Sequence, residues 1–161
     1  MIDGTPHGSN GKVGNLVNMM RQAAHDVLIL SDSDMAVGRD YIAQVLAALD
    51  QPGTGAVTCL YRGRGDAGFW SRLASAGPSY QFIVGLVFGK TRGLADPCMG
   101  STIALRRETL DAIGGFAAFA DVLADDHAIG QAVRARGLAI AIPPLLLVHA
   151  STETALAELW K

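Results

Sequence analysis

The sequence predicts one α/β domain built on a mostly parallel sheet with flanking helices. Three observations carry that reading. Val27-Leu28-Ile29-Leu30 is an unbroken apolar run that stops at Ser31-Asp32-Ser33-Asp34, the pattern of a strand buried on both faces and ending in a polar loop. Asp40 to Leu49 places Ile42, Val45, Leu46 and Leu49 at helical spacing, and Ala56 to Tyr61 returns to a buried-strand pattern. Strand, helix and strand in that order call for a crossover between parallel strands.

The other elements follow from local signals. Met1 to Gly11 is rich in Gly, Pro, His, Ser and Asn and reads as a loop. Val13, Leu16, Val17 and Met20 predict an amphipathic helix from Lys12 to about Ala24. Phe69 to Gly89 is aromatic and aliphatic but interrupted by Gly77-Pro78, which predicts two short apolar helices. Ser101 to Leu105 is a strand leading into a helix that stops at Gly114-Gly115. A further helix opens at Asp125 or Asp126 and closes at Gly137. Leu138 to Ile142 and Leu145 to Val148 are strand-like, and Ser151-Thr152-Glu153 starts a last helix.

The 161 residues are enough for one core, and half of them are hydrophobic. Only 17% are charged, against about 25% in an average soluble domain. No run reaches the roughly 18 apolar residues that a spanning helix needs, so any membrane contact of this segment is with a surface. The net charge of −2 provides no broad basic face for nucleic acid, which is not an expected partner. No charged leader followed by an apolar stretch opens the chain. Cys59 and Cys98 lack metal-ligand spacing and read as two reduced, packed thiols of a cytoplasmic domain.

The chemistry gathers at two acidic motifs. Asp32-Ser33-Asp34 follows a buried strand directly, and ligands of open parallel sheets bind beyond the carboxyl ends of strands. Two carboxylates one residue apart can share a divalent cation, or one can hold the metal while the other accepts from a ribose hydroxyl. A solvated loop is the plain alternative. An EF-hand is excluded, because Ala43 stands where its bidentate Glu is needed. A hydrophobic strand followed by Asp-x-Asp also resembles the aspartyl phosphatases, the alternative enzyme reading, which would use Asp32 as nucleophile with Asp125-Asp126 on the metal, although Ala36 stands where that family usually shows Thr or Val. Asp125-Asp126 at a helix start is either a helix-dipole pair or a source of one general base. Lys12 and Asn15, at the start of a helix, are placed for diphosphate charge. Gly100-Ser101-Thr102 lets a ligand approach the backbone closely. Arg106-Arg107 reads equally as a solvated strand end or a phosphate contact, and His149 as a packed histidine.

Four segments together resemble family 2 glycosyltransferases, most closely the ceramide glucosyltransferase branch with its bacterial hopanoid-associated relatives. They are Gly8 to Leu16, Leu30 to Asp34, Gly100 to Arg107 with Ile113-Gly114-Gly115-Phe116, and Leu123 to Gly130. The resemblance implies a truncated GT-A type, Rossmann-like fold and inverting transfer of glucose or N-acetylglucosamine from a UDP-sugar to a lipid such as ceramide or a hopanoid. It implies Mg²⁺ or Mn²⁺ on Asp34, with Asp32 helping toward metal or ribose. Asp126 matches the family's base, and Asp125 stands where the family often has Glu. The implied location is the cytoplasmic face of a membrane, such as a bacterial inner membrane.

Two departures set the expected extent. The family's first nucleotide-binding strands, with an early Asp that grips uracil, lie upstream of the matched region. Its Gln/Arg-x-x-Arg-Trp motif and membrane segments lie downstream, and Trp160 is not that motif's Trp, for no Arg precedes it at the right place. Residues 1–161 are thus expected to be a partial catalytic domain, soluble and inactive alone. The non-enzyme alternative is a lipid-surface module built on Phe69 to Phe88.

Overall fold

The computed structural model describes residues 4–160, the side chain of Trp160 excepted, so the first three residues of the predicted loop and Lys161 lie outside the described residues. The strands are β1 (Val27–Ser31), β2 (Met35–Ala36), β3 (Thr54–Thr58), β4 (Leu60–Gly65), β5 (Thr102–Arg106), β6 (Ala139–Ala141) and β7 (Leu146–Ser151). The α-helices are α1 (Gly11–Met19), α2 (Tyr41–Leu49), α3 (Phe69–Ala76), α4 (Ile83–Thr91), α5 (Arg107–Ala112) and α6 (Asp125–Ala135).

The predicted crossover β1-α2-β3 is present, and β1 and β3 run in the same direction. They do not pair, because β5 lies between them antiparallel to both. β6 joins the other edge of β3 in parallel, giving the order β1-β5-β3-β6. The stretch Ala56 to Tyr61, expected as one buried strand, is two strands in different sheets. At Cys59 the chain leaves β3 and enters β4, the edge of a second sheet in the order β2-β7-β4. β4 and β7 are parallel, whereas β2 is antiparallel to β7.

Burial follows the pleat. On β5, Ile103 and Leu105 join Val13, Ile129 and Val133 in a core with α1 and α6. Ala104, between them, faces the opposite core of Tyr41, Val45, Leu49, Val57 and Leu147. β1, read as buried on both faces, is only half-buried from Val27 to Leu30. It is an edge strand, and beside it α1 and β1 border a largely apolar groove of about 1020 Å³.

Two further readings are corrected. Gly77-Pro78 does not separate two helices. The helical path continues from Phe69 to Thr91, and Gly77–Phe82 winds as a π-helix between α3 and α4. Proline has no N–H to donate, and the wider turn accommodates the missing bond, with the Ile83 N–H reaching the Pro78 carbonyl. Ser79 in this turn accepts from the Gly63 N–H at 3.0 Å and so covers the outer edge of β4. At the other end, Ser151 closes β7 rather than opening a helix, and only a 3₁₀ turn follows at Leu156–Trp160.

Gly63 packs β4 onto α3. A Cβ there would stand 2.5 Å from the Ser75 carbonyl oxygen, which no rotamer change relieves. Gly63→Ala is expected to cost about 1–3 kcal/mol in urea denaturation, the usual range for overpacking. Cys59 and Cys98 are both buried free thiols. Burial, followed by the charge of Asp126, pushes the Cys98 thiol up to about 12 despite the opposing Arg134. A pKa above the unfolded value means that the folded state favours the proton. The stability this contributes is full below about pH 9 and is lost as the pH rises through about 12. The urea midpoint is therefore expected to fall above pH 9, and Cys98 to resist disulfide-exchange reagents at pH 8 until the chain unfolds.

Candidate functional site

The site forms where β1, the β5 entry loop and the starts of α1 and α6 meet. Asn10 caps α1, its Oδ1 accepting from the Val13 N–H at 3.1 Å. Lys12 thus stands in the first turn of a helix, where the dipole disfavours a cation. Its position is compensated by Asp32, whose Oδ1 lies 2.8 Å from the Lys12 Nζ. Burial alone would lower the Lys12 pKa, but the hydrogen bond to Asp32 and the charges of Asp32, Asp125 and Asp126 together raise it above its ordinary value. The ammonium stays protonated.

Gly100 is the meeting point. Its N–H donates to Asp126 Oδ2 at 3.0 Å, while Asp126 Oδ1 accepts from the His127 N–H at 2.7 Å. A Cβ on Gly100 would lie 3.3 Å from Lys12 Nζ and 3.5 Å from both Asp126 Oδ2 and Asp32 Oδ2. The missing side chain leaves a cradle bounded by two carboxylates and one ammonium. Buried hydroxyls fix the loop that carries it. Thr58 Oγ1 donates to the Met99 carbonyl at 3.1 Å and accepts from its N–H at 2.9 Å. Ser101 Oγ donates to the Cys59 carbonyl at 2.9 Å.

A cavity of about 340 Å³ opens here, lined among others by Lys12, Asp32, Asp34, Gly100, Asp125 and Asp126. The structure therefore brings together both acidic motifs, although 90 residues of chain lie between Asp34 and Asp125. Ser101 also lines the cavity, but its hydroxyl is engaged with the backbone. Asn15 does not line it and instead borders the apolar groove along β1. Asp125 is buried, receives Asn10 Nδ2 at 3.3 Å on Oδ1, and has no protein partner on Oδ2. Arg106 pairs with Asp50, and Arg107 Nη2 holds the carbonyls of Ala23 and His25, so both arginines are engaged outside the site.

Three residues of the site were not read as functional from the sequence. His149 lines the cavity with Nε2 3.0 Å from Asp34 Oδ2, and its Nδ1 is buried without a partner. Pairing of Met35 with His149 across β2 and β7 brings the two together. Tyr61 also lines the cavity, its ring 6.2 Å from that of His149. Burial and then the charges of Asp126, Asp32 and Asp34 push its phenol up, keeping it a neutral O–H. Asn10 is the third, and an Asn immediately before an amphipathic helix was its available signal.

The donor set suits a hard divalent cation. Carboxylate oxygens of Asp32 and Asp126 border the cradle and Asp125 Oδ2 is an unpaired buried acceptor, while the Lys12 ammonium bound to Asp32 would have to give way to a cation. Among the described residues no three His, Cys, Asp or Glu side chains are gathered to enclose an ion. A cation here would take part of its shell from water or phosphate oxygens, as Mg²⁺ commonly does.

Comparisons with known proteins agree with this architecture. A mannosyltransferase, PcManGT from Pyrobaculum calidifontis, solved in complex with GDP-Man and Mn²⁺, superposes with a TM-score of 0.69 at 24% identity. The match covers 94% of this chain and 39% of that one. A mycobacterial protein of known structure matches with a TM-score of 0.54 at 20% identity, over 92% of this chain and 46% of its own. The chain thus spans less than half the length of these two solved structures, and their likeness establishes the GT-A fold. No curated protein is a significant match in sequence. The family model of glycosyl transferase family 21 matches residues 1–161, in keeping with the ceramide glucosyltransferase-type motifs, and the chain belongs to that family of sugar-transferring enzymes.

Proposed function

We propose that the chain is the catalytic part of an inverting glycosyltransferase that moves glucose or N-acetylglucosamine from a UDP-sugar to a lipid acceptor such as ceramide or a hopanoid. The observation that carries this reading is the convergence of Asp32, Asp126 and Lys12 on the side-chain-free face of Gly100. Four aspartates and one lysine leave the cavity with excess negative charge, and a diphosphate donor is itself anionic. Such a donor enters only with a compensating cation, here Mg²⁺ or Mn²⁺, which neutralises the leaving diphosphate when bound. The GDP-Man and Mn²⁺ held by the Pyrobaculum mannosyltransferase support a nucleotide sugar and a divalent ion. Membership of family 21 removes the motive for the aspartyl phosphatase reading.

In this proposal Asp34 is the principal metal ligand, oriented by His149, and Asp32 faces metal or ribose. Lys12 moves from Asp32 toward diphosphate oxygens. Asp126, fixed by two backbone N–H groups, takes the proton of the acceptor hydroxyl. The freed oxygen attacks the anomeric carbon as its bond to the diphosphate breaks, inverting the centre. Asp125 and Asn10 hold the start of α6 in place. The apolar groove along the free edge of β1 supports the view that nucleotide-binding strands outside residues 1–161 complete the sheet. The proposed location is the cytoplasmic face of a membrane.

Mn²⁺ titration with UDP present is expected to bind the unaltered chain more tightly than Asp34→Ala, and equal binding would remove Asp34 from the metal site. Because the uridine half of the site is proposed to lie outside the chain, a negative titration is repeated with the full-length protein. There Asp126→Asn is expected to lower turnover by about 10²–10⁴ with donor and metal affinity nearly intact. Near-normal turnover would reduce Asp126 to a helix-start residue. Gly100→Ala tests the cradle. The backbone there is outside the left-handed region, and the tightest contact is the flexible end of Lys12. Its melting temperature should stay near that of the unaltered chain while Mn²⁺ and UDP binding weaken together.

A further inference from the structure

We propose that the helical segment from Phe69 to Leu94 docks on the anionic surface of a lipid bilayer and delivers acceptor to the cavity beside it. The inference rests on the proposed lipid acceptor for its purpose and on independent geometry for its place. α4 is apolar on every side, a composition that normally belongs to a buried helix, yet its one buried residue is Gly89. Large apolar side chains face solvent along the whole path, with Phe69 70%, Tyr80 78%, Phe88 56% and Leu94 77% exposed. Singly these would need no explanation, but here they are concentrated in one helical segment.

Charge selects the occupant. Between Ala67 and Ala95 stand Arg72, Lys90 and Arg92, with no Asp or Glu; Lys90 is paired with Asp96 just beyond the segment, so Arg72 and Arg92 give the surface its positive charge. The C-terminal end of α4 explains why a base is favoured at Lys90 and Arg92, but not the absence of acid along the entire segment. Arg92 lies over the Phe88 ring at 5.2 Å, a cation next to the aromatic group that would enter the headgroup region. Two copies of this surface would bring like charges together, whereas anionic headgroups complement it. No helix among the described residues is long and apolar enough to cross a membrane, so the contact is interfacial.

The surface is continuous with the site. Pro78, in the π turn, lines the acidic cavity, and the Phe82 ring lies 5.6 Å from that of Tyr61, which lines it too. A lipid lying along α4 would therefore meet Phe82 and Tyr61 before its hydroxyl reached Asp126.

The test is flotation of the chain with phosphatidylcholine vesicles, with and without phosphatidylglycerol. Preferential binding to the anionic vesicles is expected, reduced about tenfold by the double substitution Val84→Ser and Phe88→Ser. Both positions are exposed, and unchanged thermal melting verifies the fold. Lys90→Glu with Arg92→Glu is expected to abolish the anionic preference. Failure to bind vesicles, or equal binding by the Val84/Phe88 variant, overturns the proposal. So does self-association without lipid that the same variant removes, seen by sedimentation velocity, which would make the face an interface between copies. Mn²⁺ and UDP binding by the full-length protein is measured separately, so loss of the transferase reading and loss of the docking face are distinguishable.

Discussion

One ammonium group set among four carboxylates is the constraint on which the site depends. Lys12 occupies a helix start where a cation is unfavourable, and Asp32, Asp125 and Asp126 make that position tenable. With a single lysine among four aspartates, the balance of charge in the cavity remains negative. The backbone N–H groups of Gly100 and His127 hold Asp126 without adding a mobile counter-charge.

The fold supplies that order through connections between the two sheets. Cys59 marks the passage from one to the other, and its carbonyl accepts from Ser101 in the loop that carries Gly100. Thr58 binds the same loop from β3, and Thr102 meets the Tyr41 hydroxyl on α2 at 2.9 Å. Buried hydroxyls bonded to backbone are costly to break, because each leaves an unsatisfied partner. The two glycines that matter most have different tasks. Gly63 allows close packing of β4 on α3, and Gly100 keeps side chain out of the cradle.

Much of this was legible in the sequence, and the exceptions share a cause. β1, α2 and α6 were readable from local periodicity and end signals, and Asp32, Asp34 and Asp126 from their place after a strand or at a helix start. The insertion of β5 between β1 and β3 was not, because strand pairing is non-local. Nor was the division at Cys59, since a mostly apolar stretch reads alike in one sheet or two. β2 is two residues long, too short for any period, and so the contact of His149 with Asp34 could not be foreseen. Asn15 shows the converse. Its place with Lys12 at the start of a helix suggested a shared site, and positions three apart do lie on one side of a helix, yet only the long lysine side chain reaches the cavity while Asn15 borders the β1 groove.

The π turn between α3 and α4 also sets a phase. An α-helix advances about 100° per residue, so one additional residue in a turn rotates everything after it by roughly that angle. The orientation of Val84, Val87 and Phe88 is therefore governed six or more residues upstream, by Pro78. The turn acts as a fixed gear between two halves of a rod: α3 stays keyed to the glycines of β4, while α4 presents its side chains along a direction of its own. The extra residue held in this one turn, at the proline, decides which way that surface looks.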